Sequence, residues 1–142
     1  MNEDVRLRVA FLGSGAFGLP TLEALGAVHD VVLAVSQPDR PAGRGRQSTC
    51  TPISARILED QSRDEGLFAK TELIRTNDVN APAVLDRLAD LQAEAMVVIA
   101  FGQKLGGTLL DGRFAVNLHA SLLPRWRGAA PINRAMMAGD LE

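Results

Sequence analysis

An amide and an imidazole lie one residue apart near the end of the chain. Asn117 and His119 close a short apolar segment, Phe114–Leu118, whose composition predicts a β-strand. Side chains at positions i and i+2 of a strand project from the same face, so the two groups point the same way. An Asn amide can donate a hydrogen bond to a developing oxyanion, and His can move a proton near neutral pH. The pair therefore fits attack on a carbonyl group, although the spacing alone also fits a structural hydrogen-bonded pair.

A glycine-rich turn near the start of the chain offers a different chemistry. Residues Gly13–Gly18 read G-S-G-A-F-G, a literal G-x-G-x-x-G between a predicted strand and helix. A dinucleotide would place its pyrophosphate at that helix N-terminus, and an acidic residue at the end of the second strand would hold the ribose. That strand ends in Val35-Ser36-Gln37, and Asp39 follows only inside the next loop. A tight turn lined by small residues is the simpler interpretation, and NAD binding remains an alternative.

The elements that must hold these residues alternate between strand and helix. Short apolar segments predict buried strands, and apolar residues at helical spacing predict helices. The predicted strands are Val9–Leu12, Val31–Val35, Gly66–Ala69, Ala95–Ala100 and Phe114–Leu118. The predicted helices are Phe17–Ala27, one that begins at Pro52 with Thr51 as N-cap, one from Asn77 or Asn80 to about Leu91, and Pro131–Met137. The strands are expected to be apolar on both faces, which predicts an α/β fold with a doubly wound, mostly parallel open sheet.

Ligands of such sheets bind outside the carboxyl ends of the strands. Four segments that could carry chemistry fall at that edge: Gly13–Gly18, Gln37–Arg46, Phe101–Gly102 and Asn117–Arg127. The second lies in a stretch, Gln37–Thr51, that holds two prolines, two glycines and three arginines. We predict that this stretch is a long loop, of a length that is unusual in a compact domain.

The bulk composition excludes several classes of protein. The chain has 142 residues, of which 46% are hydrophobic and 23% charged, which fits one soluble domain with a real core. A net charge of -2 gives no global attraction to nucleic acid, so RNA contact would need a local basic patch. The single cysteine, Cys50, excludes an internal disulfide and cannot by itself build a metal site. The absence of a signal peptide and of a membrane-spanning apolar run predicts a cytoplasmic protein.

The string that follows the amide–imidazole pair is long and unusual. Residues 121–132 read S-L-L-P-R-W-R-G-A-A-P-I. With Asn117-x-His119 in front, this string resembles the folate-dependent formyltransferases, and among them the methionyl-tRNA formyltransferases. The resemblance implies that Asn117 and His119 lie beside the formyl carbon of 10-formyltetrahydrofolate. It also implies a folate site made of Ser121, Leu122, Leu123 and Pro124, with Phe101 and Gly102 from the segment A-M-V-V-I-A-F-G.

A second segment supports the same resemblance. Residues 36–46, S-Q-P-D-R-P-A-G-R-G-R, resemble a loop inserted in the tRNA-specific members of the family. The resemblance implies that Arg40, Arg44 and Arg46 bind tRNA, and arginines on a flexible loop can reach phosphates and unpaired bases. Ser14 and Phe17 match family residues that the resemblance places near the methionyl end of the tRNA. The turn at 13–16 departs from the family's usual sequence, which leaves the fit of the methionyl group open.

The resemblance implies one reaction and a limit on this chain. The methionyl α-amine of initiator tRNA would attack the formyl carbon, in the initiation of translation and without a metal. The family also uses an Asp in a later D-x-G-x-D-T-G-D loop, which the sequence does not reach by Glu142. We therefore expect residues 1–142 to be part of a catalytic domain, without the C-terminal tRNA-binding domain and without activity on their own.

Two alternatives of different kinds remain. One is a formyltransferase of the same superfamily that acts on an amino sugar nucleotide, against which the arginine loop argues. The other is a non-catalytic fragment that binds folate or RNA. Neither a protein partner nor a membrane is implied, but a sheet that ends after its fifth strand exposes an edge through which copies of the chain could associate.

Overall fold

The structure is a computed structural model that describes residues 5–128 and 130–140. Its strands are β1 (Arg8–Gly13), β2 (Asp30–Ser36), β3 (Arg40–Ala42), β4 (Gln47–Thr49), β5 (Glu72–Arg75), β6 (Ala95–Ile99) and β7 (Phe114–Leu118). Its helices are α1 (Leu19–Val28), α2 (Pro52–Arg63), α3 (Pro82–Asp90), α4 (Gly107–Leu110) and α5 (Pro131–Met137), and a 3-10 turn spans Ala16–Gly18. Among the residues described, no helix is both long and apolar enough to cross a membrane.

Five strands form a parallel sheet in the order β5-β2-β1-β6-β7. Leu12 of β1 aligns with Val35 of β2 on one side and with Val98 of β6 on the other. The chain first builds from β1 outward to β5 and then returns to add β6 and β7, so the strand order reverses between β1 and β6. Ligands of doubly wound sheets bind at such a reversal. The predicted fold class is confirmed.

Helices cover both faces of the sheet because its central strands are apolar on both sides. On one face Phe11 packs in a cluster with Leu22 of α1 and Ile57 of α2. On the other face Leu12 packs in a second cluster with Leu88 of α3. These side chains are at most 2% exposed, so the middle of the sheet is fixed firmly beneath the loops at its carboxyl edge.

The edge strand β7 differs from the prediction that strands are buried on both faces. All five of its residues are exposed, with Phe114 at 66% and Leu118 at 51%. Within the described part of the chain, β7 pairs with β6 alone. The strand that carries Asn117 is therefore held to the sheet by its backbone hydrogen bonds to β6, and its side chains are the most exposed of the five parallel strands.

The stretch Gln37–Thr51 is not an irregular loop, and that prediction was wrong. It contains an antiparallel hairpin, in which Arg40 of β3 aligns with Thr49 of β4. The turn between the strands uses positive φ angles at Gly43, Gly45 and Arg46, which two glycines make easy. We call residues 40–49 the arginine hairpin.

The predicted strand at Gly66–Ala69 was also wrong, because those residues form a turn and the strand is β5. The side chain of Phe68 is fully buried, and its N–H donates to Asp60 Oδ2 at 2.9 Å. A Cβ at Gly66, whose φ is +103°, would meet the same carboxylate at 2.5 Å. The apolar residues of this segment therefore fill the core from a turn around Asp60 rather than from a strand.

The helix predictions hold with small shifts. Thr51 caps α2, since its Oγ1 accepts a hydrogen bond from Ser54 N at 3.1 Å, and Pro52 is the first helical residue. Helix α3 begins at Pro82 rather than at Asn77 or Asn80. The short helix α4 was not predicted.

Asp60 sits at the centre of an ion-pair group on the α1–α2 side of the sheet. Its Oδ1 accepts from Arg56 Nη1 at 2.6 Å, and Arg56 also pairs with Glu23 and lies 5.0 Å from the centre of the Phe68 ring. Burial alone raises the pKa of Asp60, but the hydrogen bonds from Phe68 N–H and Arg56 outweigh it, so that pKa is lowered. The hydrogen bond to Glu23, and then that to Asp60, raises the pKa of Arg56.

Replacing Asp60 by Asn is expected to lower the free energy of unfolding at pH 7 by about 2 kcal/mol, because a buried charged hydrogen bond is lost. A pKa lowered by folding gives stability that is complete above the unfolded value near pH 4 and is lost as the pH falls toward the folded value. Urea unfolding at pH 7 and at lower pH should therefore show the difference between wild type and Asp60→Asn shrinking on acidification. Asp86→Asn, on the exposed face of α3, is the matched control. A constant difference at all pH values would contradict this role of Asp60.

Candidate active site

Hydrogen bonds tie together the loops at the carboxyl ends of β1, β2 and β6. Ser14 Oγ donates to the Phe101 carbonyl oxygen at 3.3 Å and accepts from Gln37 N at 3.1 Å. Gln37 Nε2 donates to the same carbonyl at 3.0 Å. The buried Ser36 hydroxyl lies 3.4 Å from Ser14 Oγ and 2.6 Å from Thr51 Oγ1. The three loops are thus fixed to one another beside the point where the strand order reverses.

The glycine-rich turn uses its backbone donors within the fold. The N–H groups of Ser14 and Gly15 both donate to the Ala100 carbonyl oxygen at 3.2 Å. A Cβ at Gly13 would meet the Ile99 carbonyl oxygen at 2.8 Å, so glycine is needed there for close packing of β1 against β6. Because these N–H groups are occupied, this geometry favours the tight turn over a pyrophosphate site.

Residues 101 and 102 act through backbone geometry. The Phe101 side chain is 3% exposed and belongs to the core, while its carbonyl oxygen accepts hydrogen bonds from the side chains of Ser14 and Gln37. Gly102 has a φ of +81°, and a Cβ there would overlap Gln37 Nε2. Gln37, which the sequence did not single out, therefore requires a glycine at position 102. The Phe101 ring therefore packs in the core and exposes little surface to a pocket.

Asn117 and His119 stand at the carboxyl end of β7. Asn117 is exposed, and its amide makes no hydrogen bond with the residues described. His119 follows the strand and is half-buried, with Nδ1 2.8 Å from Ser121 Oγ and Nε2 3.2 Å from the Gly128 carbonyl oxygen. One side chain is thus free to donate to a ligand, and the other is oriented on both sides of its ring.

The loop after His119 is closed by contacts with the chain end. Trp126 Nε1 donates to Asp140 Oδ2 at 3.0 Å, and Arg125 Nη2 pairs with the same carboxylate at 2.8 Å. Arg134 donates to the Arg127 carbonyl oxygen at 2.6 Å and lies 5.8 Å from the Trp126 ring centre. Asp140 therefore holds the loop, a role that its place in the sequence did not reveal.

The predicted folate and methionyl residues differ in what they offer to a ligand. Leu122 is 88% and Leu123 57% exposed, and Pro124 is exposed beside them, so this turn presents a free apolar surface. Phe17 is also exposed, at 52%, on the 3-10 turn. The Ser14 hydroxyl, by contrast, is already engaged by its neighbours in the fold.

The arginine hairpin presents positive charge to solvent. Arg40, Arg44 and Arg46 are exposed and form no ion pair with any residue that the structure describes. The hairpin is anchored at its base, where Asp39 accepts two hydrogen bonds from Arg75 Nη1 at 2.9 Å each. The three guanidinium groups are thus available to an anionic ligand on a short β-structure with a fixed base.

Comparison with known proteins identifies the family. A family model described as "Formyl transferase" matches residues 7–142. The chain belongs to the formyl transferase family. Among the described residues of this family member, no group of three or more His, Cys, Asp or Glu side chains is arranged to hold a metal ion.

Similar proteins agree with the formyl transferase assignment. The chain is 48% identical over 139 residues to the methionyl-tRNA formyltransferase of Cereibacter sphaeroides (strain ATCC 17025 / ATH 2.4.3), covering 96% of this chain and 43% of that protein. A second protein of that name, from strain KD131 / KCTC 12085, is 46% identical over 138 residues, with the same coverage. The chain thus spans less than half the length of these relatives.

A solved structure shares the fold. The phosphoribosylglycinamide formyltransferase of Bacillus halodurans superposes with a TM-score of 0.65 and 22% sequence identity, over 92% of this chain and 65% of that one. At this identity the likeness concerns the Rossmann-like formyl transferase fold alone.

Proposed function

We propose that this chain supplies the folate-side part of a methionyl-tRNA formyltransferase, which transfers the formyl group of 10-formyltetrahydrofolate to the α-amine of methionyl-initiator tRNA. Two neighbouring residues support the proposal: Asn117, at the carboxyl end of β7 with a free amide, and His119, one residue past the strand with an oriented ring. The names of relatives that are 46–48% identical support methionyl-tRNA as the acceptor of the formyl group.

The residues fit the chemistry of this reaction. The Asn117 amide would donate a hydrogen bond to the formyl oxygen as the amine adds to the formyl carbon and negative charge develops there. His119 would accept the proton that the amine loses and deliver it to N10 of the folate as the C–N10 bond breaks. The exposed side chains of Leu122 and Leu123 would provide an apolar surface for the folate.

The arginine hairpin supports a tRNA, rather than a sugar nucleotide, as the substrate that accepts the formyl group. Its three exposed guanidinium groups suit several phosphates along a backbone. A nucleotide-linked amino sugar carries only two phosphates, close together. Protein synthesis in the cytoplasm is the setting that this acceptor implies.

Residues 1–142 by themselves are proposed to be inactive. Every residue of β7 is exposed, so the chain leaves the reacting groups open to water, whereas electrostatic stabilisation of an oxyanion is strong only where water is excluded. We propose that the region is part of a larger catalytic domain, and that a separate C-terminal domain adds to tRNA binding.

A chimera tests the proposal. Residues 7–142 would replace the matched region of the Cereibacter sphaeroides methionyl-tRNA formyltransferase, and the product would be assayed with 10-formyltetrahydrofolate. Formylation of methionyl-tRNA is expected from the chimera, and none is expected from the 142-residue chain alone. Formylation by the chain alone would contradict the proposed inactivity. A chimera that formylates an amino sugar nucleotide but not methionyl-tRNA would overturn the proposed acceptor, and one that binds tRNA or folate without turnover would favour a non-catalytic module.

A further inference from the structure

The hydrogen bonds around His119 constrain where its protons can lie. Ser121 Oγ is 2.8 Å from His119 Nδ1 and donates to the Arg125 carbonyl oxygen at 2.7 Å. A serine hydroxyl carries a single proton. With that proton directed at Arg125, the Ser121 oxygen accepts a hydrogen bond from His119, which places a hydrogen on Nδ1.

The opposite neutral tautomer would break this arrangement. With its proton on Nε2 alone, His119 would direct the Nδ1 lone pair at the Ser121 oxygen, unless the hydroxyl turned away from the Arg125 carbonyl. With its proton on Nδ1 alone, His119 keeps the shorter of its two bonds, and its Nε2 lone pair faces the Gly128 carbonyl oxygen at 3.2 Å. That oxygen accepts a bond whenever Nε2 is protonated, but this bond is longer than the 2.8 Å and 2.7 Å bonds that a proton on Nδ1 preserves. The two shorter bonds therefore favour a proton on Nδ1 and leave Nε2 as the nitrogen that can exchange one.

We propose that Ser121 is a positioning residue that holds the proton of His119 on Nδ1 and so makes Nε2 the proton-exchanging nitrogen. Its use in catalysis rests on the proposed formyl transfer, but the tautomer itself does not. In that reaction the bond between the amine nitrogen and the formyl carbon forms, and the bond from that carbon to N10 breaks. The proton lost by the amine passes through Nε2 to N10. Ser121 thus has a role distinct from lining the folate site.

His29 provides an internal reference of the opposite type. The backbone N–H of Leu7 donates to His29 Nδ1 at 3.3 Å, so the neutral His29 ring must carry its proton on Nε2. The chain has two histidines, which allows both rings to be followed in one nitrogen-15 NMR experiment on the 142-residue chain. A His29→Gln variant assigns the two sets of signals.

The decisive measurement is the tautomer of each ring in its neutral form. His119 is expected to show a protonated Nδ1 and a bare Nε2, and His29 the reverse. A His119 ring protonated on Nε2 and bare on Nδ1 would overturn the proposal. This readout needs neither folate nor tRNA. A chimera without formyl transfer but with the expected tautomer would therefore count against the proposed function alone.

Variants of Ser121 separate positioning from packing. Ser121→Ala is expected to shift the ratio of the two His119 tautomers toward Nε2–H by about two- to tenfold, the effect of one hydrogen bond. Ser121→Thr keeps the hydroxyl and is expected to keep the wild-type ratio. An unchanged ratio in a folded Ser121→Ala chain would overturn the proposal. If the alanine variant does not fold, the wild-type and threonine measurements still decide it.

Discussion

Replacing His119 by Ala in the chimera is expected to lower kcat for methionyl-tRNA formylation about a hundredfold or more, while KM for the tRNA changes little. The imidazole is expected to move a proton during the chemical step, an effect typically worth about 10²–10⁴ in rate. It contributes no contact on the arginine hairpin, so the binding of tRNA should be nearly preserved. Steady-state kinetics with methionyl-tRNA varied at saturating 10-formyltetrahydrofolate measures both constants.

Asn117→Ala should cause a loss of similar size in kcat, because one oxyanion donor is worth about 10²–10³. If the two residues act on one transition state, the double variant should lose less than the product of the single losses. Two matched controls should keep wild-type kcat. His29→Gln lies before β2, at the amino ends of the strands, and Asn77→Ala lies after β5, the edge strand on the other side of the sheet from β7. A kcat within threefold of wild type for Asn117→Ala would remove Asn117 from the proposed site.

The sequence predicted the strands at the centre of the fold because their signal is strong. Ala95–Ile99 and Val31–Val35 are continuous apolar runs buried between two layers of helix, and both lie where they were expected. The strand Phe114–Leu118 has the predicted bounds, but His119 lies one residue beyond it, so the shared direction of Asn117 and His119 stays a prediction. What local pattern could not give is the exposure of that strand, since burial depends on which elements pack over it.

The wrong assignments have a common physical cause. The apolar Leu67 and Phe68 suggested a strand, but Phe68 enters the core from a turn because the Asp60 carboxylate holds its N–H. The hairpin strands, R-P-A and Q-S-T, are only three residues long, and Gly and Arg fill the turn between them, so they carry no periodic pattern. The bonds of Gln37, Ser121 and Asp140 join residues that regular patterns do not relate. Such contacts can be identified only once the fold has brought the residues together, so sequence patterns could not predict them.

Replacing Arg40, Arg44 and Arg46 together by Ala is expected to weaken binding of methionyl-tRNA to the chimera about a hundredfold at 0.15 M salt. Each phosphate contact is worth about fivefold at that salt concentration, if it releases one counterion on binding. The dependence of the logarithm of affinity on the logarithm of salt concentration should become shallower by about two to three units. Because the hairpin is exposed and anchored through Asp39 and Arg75, the substitutions should not affect stability.

Two comparisons separate the hairpin from general charge. Arg63→Ala removes an exposed arginine of α2 that pairs only with Glu59 in the described structure, and it should leave the salt dependence unchanged. The triple Arg→Lys variant keeps the charge, so it should keep the slope, while any loss of affinity in it would measure contacts that need the planar guanidinium. If the triple alanine variant raised KM for methionyl-tRNA less than threefold with an unchanged slope, the hairpin would not be a tRNA contact. The choice of tRNA over a sugar nucleotide would then rest on the likeness to the Cereibacter proteins alone.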